Sequence, residues 1–172
     1  VENAVTALHA YQAYCQLRNL SYTEASIRSG LNNAFWPVRM EMMNEEPYVI
    51  LDGAHNEPAM AVLLQTLEEK FSGKSIKVLY AGLTTKELDK IAVWLQKIPQ
   101  VEIHLTTFDF PNSASLEDLR ERMQLSRASY HENWQLALEQ LIDKATPEDV
   151  ILITGSLYFL SEVRQYLLEN KK

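Results

Sequence analysis

The stretch that most constrains the fold is Tyr48-Val49-Ile50-Leu51-Asp52-Gly53-Ala54-His55-Asn56-Glu57-Pro58. Four apolar residues open it, three of them β-branched or aromatic, and such a run reads as a strand buried on both faces, as in parallel sheets. Asp52 ends the strand, Gly53 supplies the turn, Asn56 caps a helix, and Pro58 fits the first helical turn, where a missing N–H costs nothing. Met60, Leu63, Leu64, Leu67 and Phe71 then recur at three- and four-residue spacing and make one apolar helix face. In open α/β sheets, ligands bind at the carboxyl ends of the strands, so Asp52, His55 and Asn56 stand where a site is expected.

The alternation continues to the end of the chain. Residues 76–80 read as a strand, 82–85 as a turn, and the helix from Lys86 turns Leu88, Ile91, Leu95 and Ile98 inward. A strand over 101–105, a polar loop over 106–115, a short helix capped by Ser115 and a longer helix over 132–144 follow. Residues 150–154 form the last apolar strand, and Gly155-Ser156 opens a final helix over 157–169. Four strands alternating with helices over 48–172 predict an α/β fold with a doubly wound, mostly parallel sheet and helices on both faces. Residues 1–47 stand outside that alternation. A helix over 2–17 leads into a shorter one, for which Ser21 and Glu24 form a capping box and Gly30 the stop. Over 36–42 the apolar pattern alternates, placing Val38, Met40 and Met42 on one face and Arg39 and Glu41 on the other. Asn44-Glu45-Glu46-Pro47 reads as a turn and a domain boundary.

With 172 residues, 47% of them hydrophobic and 23% charged, the chain can bury one good core plus an appendage. No apolar run approaches the roughly 20 residues of a membrane helix, and the single Cys15 cannot form an internal disulfide. The expectation is a cytoplasmic protein with no membrane partner. Sixteen basic against 23 acidic residues leave a net charge of −7, and with no Lys/Arg cluster this argues against nucleic acid as a partner. Individual arginines and lysines are still free to bind small phosphates. No stretch fits the G-x-x-x-x-G-K-[ST] phosphate loop, and no Cys/His cluster has metal-ligand spacing.

Asp52, His55 and Asn56 are the strongest local constellation. A carboxylate and an imidazole three residues apart on one turn can bind a cation, a ribose hydroxyl, an amine or a carboxylate. Equally, Asp52 and Asn56 can simply satisfy the turn's own N–H groups while His55 faces solvent. Ser156 offers a hydroxyl beside helix N–H groups that favour an anion, or a plain N-cap. Arg39 can act as a fork for phosphate or sit solvated. Lys86, His104, Asn112 and His131 are each compatible with a site and each common on surfaces.

Taken together, Asp52-Gly53-Ala54-His55-Asn56 after an apolar strand, Trp36-Pro37-x-Arg39 before it, and Gly155-Ser156-Leu157-Tyr158 after the last strand resemble folylpolyglutamate synthase, often bifunctional with dihydrofolate synthase, of the Mur ligase superfamily. Glu2-Asn3-Ala4 with Thr6-Ala7-Leu8 resembles the asparagine-containing segment near the end of that family's ATPase domain. The resemblance implies an ATP-dependent ligase that adds L-glutamate to a folate or to dihydropteroate through an acyl phosphate. It also implies that residues 1–47 are the tail of an N-terminal ATPase domain with its connection, and that 48–172 are the C-terminal glutamate-ligase domain. The P-loop and magnesium ligands would lie in that ATPase domain, the partner of this one in a monomer, and the chain alone would be inactive. Carried over by resemblance, Asn3 would contact adenine, Arg39 the phosphates and Asp52 the nucleotide, while His55, Asn56 and Ser156 would hold the incoming glutamate, with His55 the catalytic group. Three departures stand out. Val38 replaces a usual Gly, Asn112 a common Arg, and Thr84-Thr85-Lys86-Glu87 a usual Asp-Lys-Asp, which leaves the roles of Lys86 and Asn112 open. A Mur-type ligase for another acid and a stand-alone flavodoxin-like binding domain are the alternatives.

Overall fold

The computed structural model describes residues 2–170, and the chain divides into two compact units, Val1–Trp36 and Pro37–Lys172. The first unit holds α1 (Glu2–Arg18) and α2 (Glu24–Asn32). Its capping box is Thr23 with Ser26, each side chain bonding the other's backbone N–H at 3.1 Å, and not Ser21 with Glu24. Glu24 instead holds Arg28 one turn on. Gly30 does not stop α2, which runs on to Asn32, because an interior glycine costs a helix only about 1 kcal/mol.

The second unit is a six-stranded sheet, β1 (Glu41–Glu45), β2 (Tyr48–Asp52), β3 (Ile76–Ala81), β4 (Val101–Thr106), β5 (Ser129–His131) and β6 (Val150–Gly155), in the order β1-β2-β6-β3-β4-β5. Only β1 is antiparallel to its neighbour; the other pairings are parallel. The helices are α3 (Glu57–Phe71), α4 (Leu88–Leu95), α5 (Leu116–Met123), α6 (Trp134–Lys144) and α7 (Leu157–Glu169). The doubly wound, mostly parallel sheet expected from the apolar runs is what forms. Ile50, Val78 and Leu152 pack with α3, α4 and α5 on one face, and Val49, Leu51, Leu79, Ile151 and Ile153 pack with α6 and α7 on the other. A strand buried on both sides has no polar face to alternate with, which is why these runs are continuous.

Residues 37–47 depart from the sequence reading. β1 starts only at Glu41, with Glu41 and Met43 buried and Met42 exposed, so the two faces assigned over 36–42 do not form. Residues 37–40 are a bend in which Val38 and Met40 are left-handed, at φ +56° and +45°. Arg39 therefore rides on a bend and not on a strand. The cause is local: Glu41 turns inward, accepting the Val38 N–H at 2.8 Å and the Arg164 guanidinium of α7 at 2.9 Å. Asn44 and Glu45 close β1, and the turn after them makes a hairpin with β2, so the break between compact units falls after Trp36. Val38 occupies a conformation that glycine adopts freely, and Asn112, at φ +62°, one that asparagine tolerates well.

At the outer edge of the sheet, His104 Nδ1 meets His131 Nε2 at 3.0 Å and His104 Nε2 meets Glu102 at 3.0 Å. Burial pushes both imidazoles below the ordinary histidine value; Glu102 opposes this at His104, where the neighbouring His131 and Lys77 charges reinforce it, and Lys144 adds to it at His131. The unfolded chain then takes up protons first. Stability conferred by this pair is present above about pH 6.5 and is lost as the pH falls from there through the depressed native values. Denaturant titrations at pH 7.5 and 5 are expected to show that loss, and replacing both histidines with glutamine should flatten it.

Candidate active site

Three neighbouring strands end together. β2 pairs with β6 up to Asp52 opposite Thr154, and β3 pairs with β6 up to Ala81 opposite Gly155. The chain leaves β2 and β3 toward one face, into α3 and α4, and leaves β6 toward the other, into α7. A crevice opens where neighbouring strands part to opposite faces. A cleft of about 150 Å³ lies there, lined by His55, Tyr80, Gly82, Lys86, Ser156 and Tyr158 among others. A second, of about 190 Å³, shares His55 and Lys86 and adds Asn56, Glu57, Glu87 and Lys90.

Each side chain has a local reason for its position. Asn56 caps α3, its carbonyl oxygen accepting the Ala59 N–H at 3.0 Å, with Pro58 in the first turn. Asp52 is buried; Oδ1 accepts the Ala54 N–H at 3.0 Å and Oδ2 the Met40 N–H at 2.9 Å. One carboxylate thus ties the 53–54 turn to the bend that carries Arg39. Burial raises its pKa, opposed by those two N–H bonds and by the Arg39 charge. His55 Nδ1 lies 2.8 Å from the Gly53 carbonyl. A carbonyl only accepts, so Nδ1 carries the proton and the Nε2 lone pair is left for a ligand. Ser156 caps α7, its oxygen accepting the Tyr158 N–H at 3.3 Å, which leaves the hydroxyl proton to donate.

The loop after β3 is pinned from two sides. Arg122 of α5 donates to the carbonyls of Thr84 at 2.7 Å and Lys86 at 2.6 Å, and the Thr84 N–H donates to Asn112 O at 2.9 Å. Lys86 is thereby brought beside His55, although its sequence context left it open. In the second cleft Lys90 is engaged by Glu57 at 3.1 Å and Glu87 at 2.7 Å; in the first, Lys86 is the only Lys, Arg, Asp or Glu of the lining. Tyr158 forms the rim, stacked on Phe110 with centroids 3.9 Å apart. The structure brings His55, Lys86 and Ser156 to one cleft and places Arg39 on the bend that Asp52 holds through Met40. Asn3 is exposed on α1 in the first unit. Sequence reasoning missed Tyr80, and quoted Tyr158 in a motif without giving it a role. The signal was Gly82, a third strand-end glycine matching Gly53 and Gly155.

Residues 38–157, more than half of the chain, match the model of the family described as Mur ligase, glutamate ligase domain. The chain belongs to this family. The chain is 33% identical over 167 residues to the dihydrofolate synthase/folylpolyglutamate synthase of Bacillus subtilis, covering 96% of this chain and 38% of that protein. It therefore spans little more than a third of the length of such relatives. Among solved structures, Escherichia coli FolC in complex with DHPP and ADP superposes with a TM-score of 0.84 at 25% identity, covering 99% of this chain and 39% of that one. A bifunctional folylpolyglutamate synthase/dihydrofolate synthase with Mn, AMPPNP and L-glutamate bound gives a TM-score of 0.75 at 27% identity, covering 87% and 36%. No helix among the described residues is long and apolar enough to cross a membrane.

Proposed function

We propose that this glutamate ligase domain holds and deprotonates the incoming L-glutamate in an ATP-dependent ligase that extends folates or converts dihydropteroate to dihydrofolate. The observation that carries this reading is that His55, Lys86 and Ser156 line one cleft, with His55 Nδ1 turned to the Gly53 carbonyl. Such a set matches an amino acid with carboxylates to anchor and an amine to activate. Ser156 and the α7 N-terminus favour one carboxylate, and Lys86 supplies a second cationic anchor. His55, held in one tautomer by Gly53, takes a proton from the substrate ammonium. The freed amine attacks the carbonyl carbon of an acyl phosphate on the acceptor; the amide C–N bond forms, the C–O bond to phosphate breaks, and phosphate leaves with the second amine proton.

For ATP, the exposed Arg39 guanidinium, on the bend that Asp52 holds, fits a phosphate with a planar fork; Asn3 of the first unit is proposed for adenine on the resemblance alone. Among the described residues no three His, Cys, Asp or Glu side chains converge on a common point, and the magnesium ligands are assigned to the ATPase domain. Residues 1–36, with Tyr11, Tyr14, Leu17 and Phe35 exposed, read as the tail of an ATPase domain whose body supplies the phosphate cradle. The full enzyme would then act as a cytoplasmic monomer.

The test is ADP release by the enzyme that carries this chain, with ATP, magnesium and L-glutamate, offering dihydropteroate or a reduced folate. Turnover with either assigns the branch. Silence with both, in a protein that binds ATP, points to a ligase for another acid. Arg39→Ala is expected to raise the KM for ATP about tenfold or more, the value of a charge-assisted phosphate contact, and His55→Ala to act mainly on glutamate. Unchanged ATP kinetics in the arginine variant would remove Arg39 from the site.

A further inference from the structure

Tyr80 is the one aromatic side chain in the floor of the first cleft, and it is 1% exposed. Its ring lies between two glycines. A Cβ on Gly155 would stand 3.0 Å from ring atom Cε2, and one on Gly82 would stand 2.5 Å from the hydroxyl oxygen. A side chain at position 82 would cover that hydroxyl; glycine leaves it facing the cleft. No described residue hydrogen-bonds the Tyr80 oxygen, and it is not sealed in the core. The hydroxyl is therefore open to the cleft, where water or an acceptor atom of a ligand can take its hydrogen bond. Burial also pushes the phenol well above its ordinary pKa, with the Arg122 charge only partly opposing. The group therefore stays protonated and serves as a donor.

The surroundings select the acceptor. The cleft lining contains no carboxylate; its single Lys or Arg is Lys86, and it also includes Ser156 at the N-terminus of the thirteen-residue α7. Tyr80, Lys86 and Ser156 each bring a donor to this lining, and an anion of at least two oxygens fits them. We infer that the Tyr80 hydroxyl donates a hydrogen bond to a carboxylate oxygen of the incoming amino acid, making it a substrate-binding residue. This rests on the glutamate reading of the cleft. Gly82 and Gly155 then have a second duty, since each keeps the phenol in place and uncovered.

Titration of L-glutamate into the 172-residue chain, with tyrosine and histidine rings carbon-13 labelled, separates the two readings. The expected result is that the His55 and Tyr80 ring signals move together along one binding curve. Tyr80→Phe, which removes only the oxygen, should weaken glutamate binding about tenfold or more while leaving the thermal midpoint unchanged or slightly higher. A purely structural tyrosine would lower the midpoint and leave the dissociation constant alone. If His55 moves and Tyr80 does not, or if Tyr80→Phe binds glutamate as tightly as the parent, the role of Tyr80 is overturned and the cleft reading survives. If neither ring responds to glutamate, both fall. The ring signals of the unsubstituted chain decide the matter even where the phenylalanine variant folds poorly.

Discussion

A Gly155→Ala variant is expected to lose about 3–5 kcal/mol of folding free energy, from backbone strain and overpacking together. Gly155 sits at φ +120°, and the added carbon would stand 2.1 Å from the Ala81 carbonyl oxygen, an atom of the adjacent strand that cannot rotate away. That same oxygen accepts the Ser156 N–H at 2.9 Å. Relief of the clash must therefore pull β6 away from β3 just where the site forms. Urea unfolding followed by circular dichroism should show a large drop in midpoint, and glutamate binding should weaken in whatever fraction folds. Gly73→Ala is the control: φ is +78° there, but nothing lies within 4 Å of the added carbon, so only the left-handed penalty of about 1–2 kcal/mol is expected. Equal losses at the two positions would show that the β6–β3 approach is not the critical contact.

Asp52→Ala is expected to cost about 2–4 kcal/mol, because it strands the N–H groups of Ala54 and Met40. The charge itself does not stabilise. With its native pKa raised chiefly by burial, Asp52 opposes folding once the pH rises through that raised value, and the net contribution comes from the two N–H bonds. Asp52→Asn retains one acceptor oxygen and should lose less than alanine does. The functional effect should exceed the stability effect, since the bend carrying Arg39 is released. Denaturation midpoints and the KM for ATP, measured on both variants, check this; an asparagine variant as damaged as alanine would give the charge a larger part than the geometry assigns.

The core strands were legible because burial on both faces leaves continuous apolar runs, and the helices because their inward stripes keep three- and four-residue spacing. The caps at Asn56, Ser115 and Ser156 could be read for the same local reason: one side-chain oxygen serves an N–H two or three residues on. β5 was not legible, since Ser129, Tyr130 and His131 are too few to display a period. The bend at 37–40 was misread because its apolar residues alternate by composition, while two left-handed residues and an inward glutamate break the extended path. At the site, Asp52, His55 and Ser156 announced themselves by following strands directly. Lys86 and Tyr80 did not, because their placement depends on Arg122 of a distant helix and on two glycines that leave space, neither of which is visible in a local window.

The position of β6 bears on how the molecule is made. This strand lies at the centre of the sheet, pairing Tyr48 with Val150 on one side and Ile76 with Val150 on the other, yet it is the last strand in the chain. During synthesis the β1–β2 hairpin and the β3–β4–β5 sheet can each begin to form, but they have no edge in common until residues 150–155 emerge. Contacts across such long separations are made slowly. A ribosome that stalls before Val150 holds two unfinished sheets, each showing an apolar edge that the finished protein never exposes, and the cleft lacks its Gly155–Tyr158 wall until the final step.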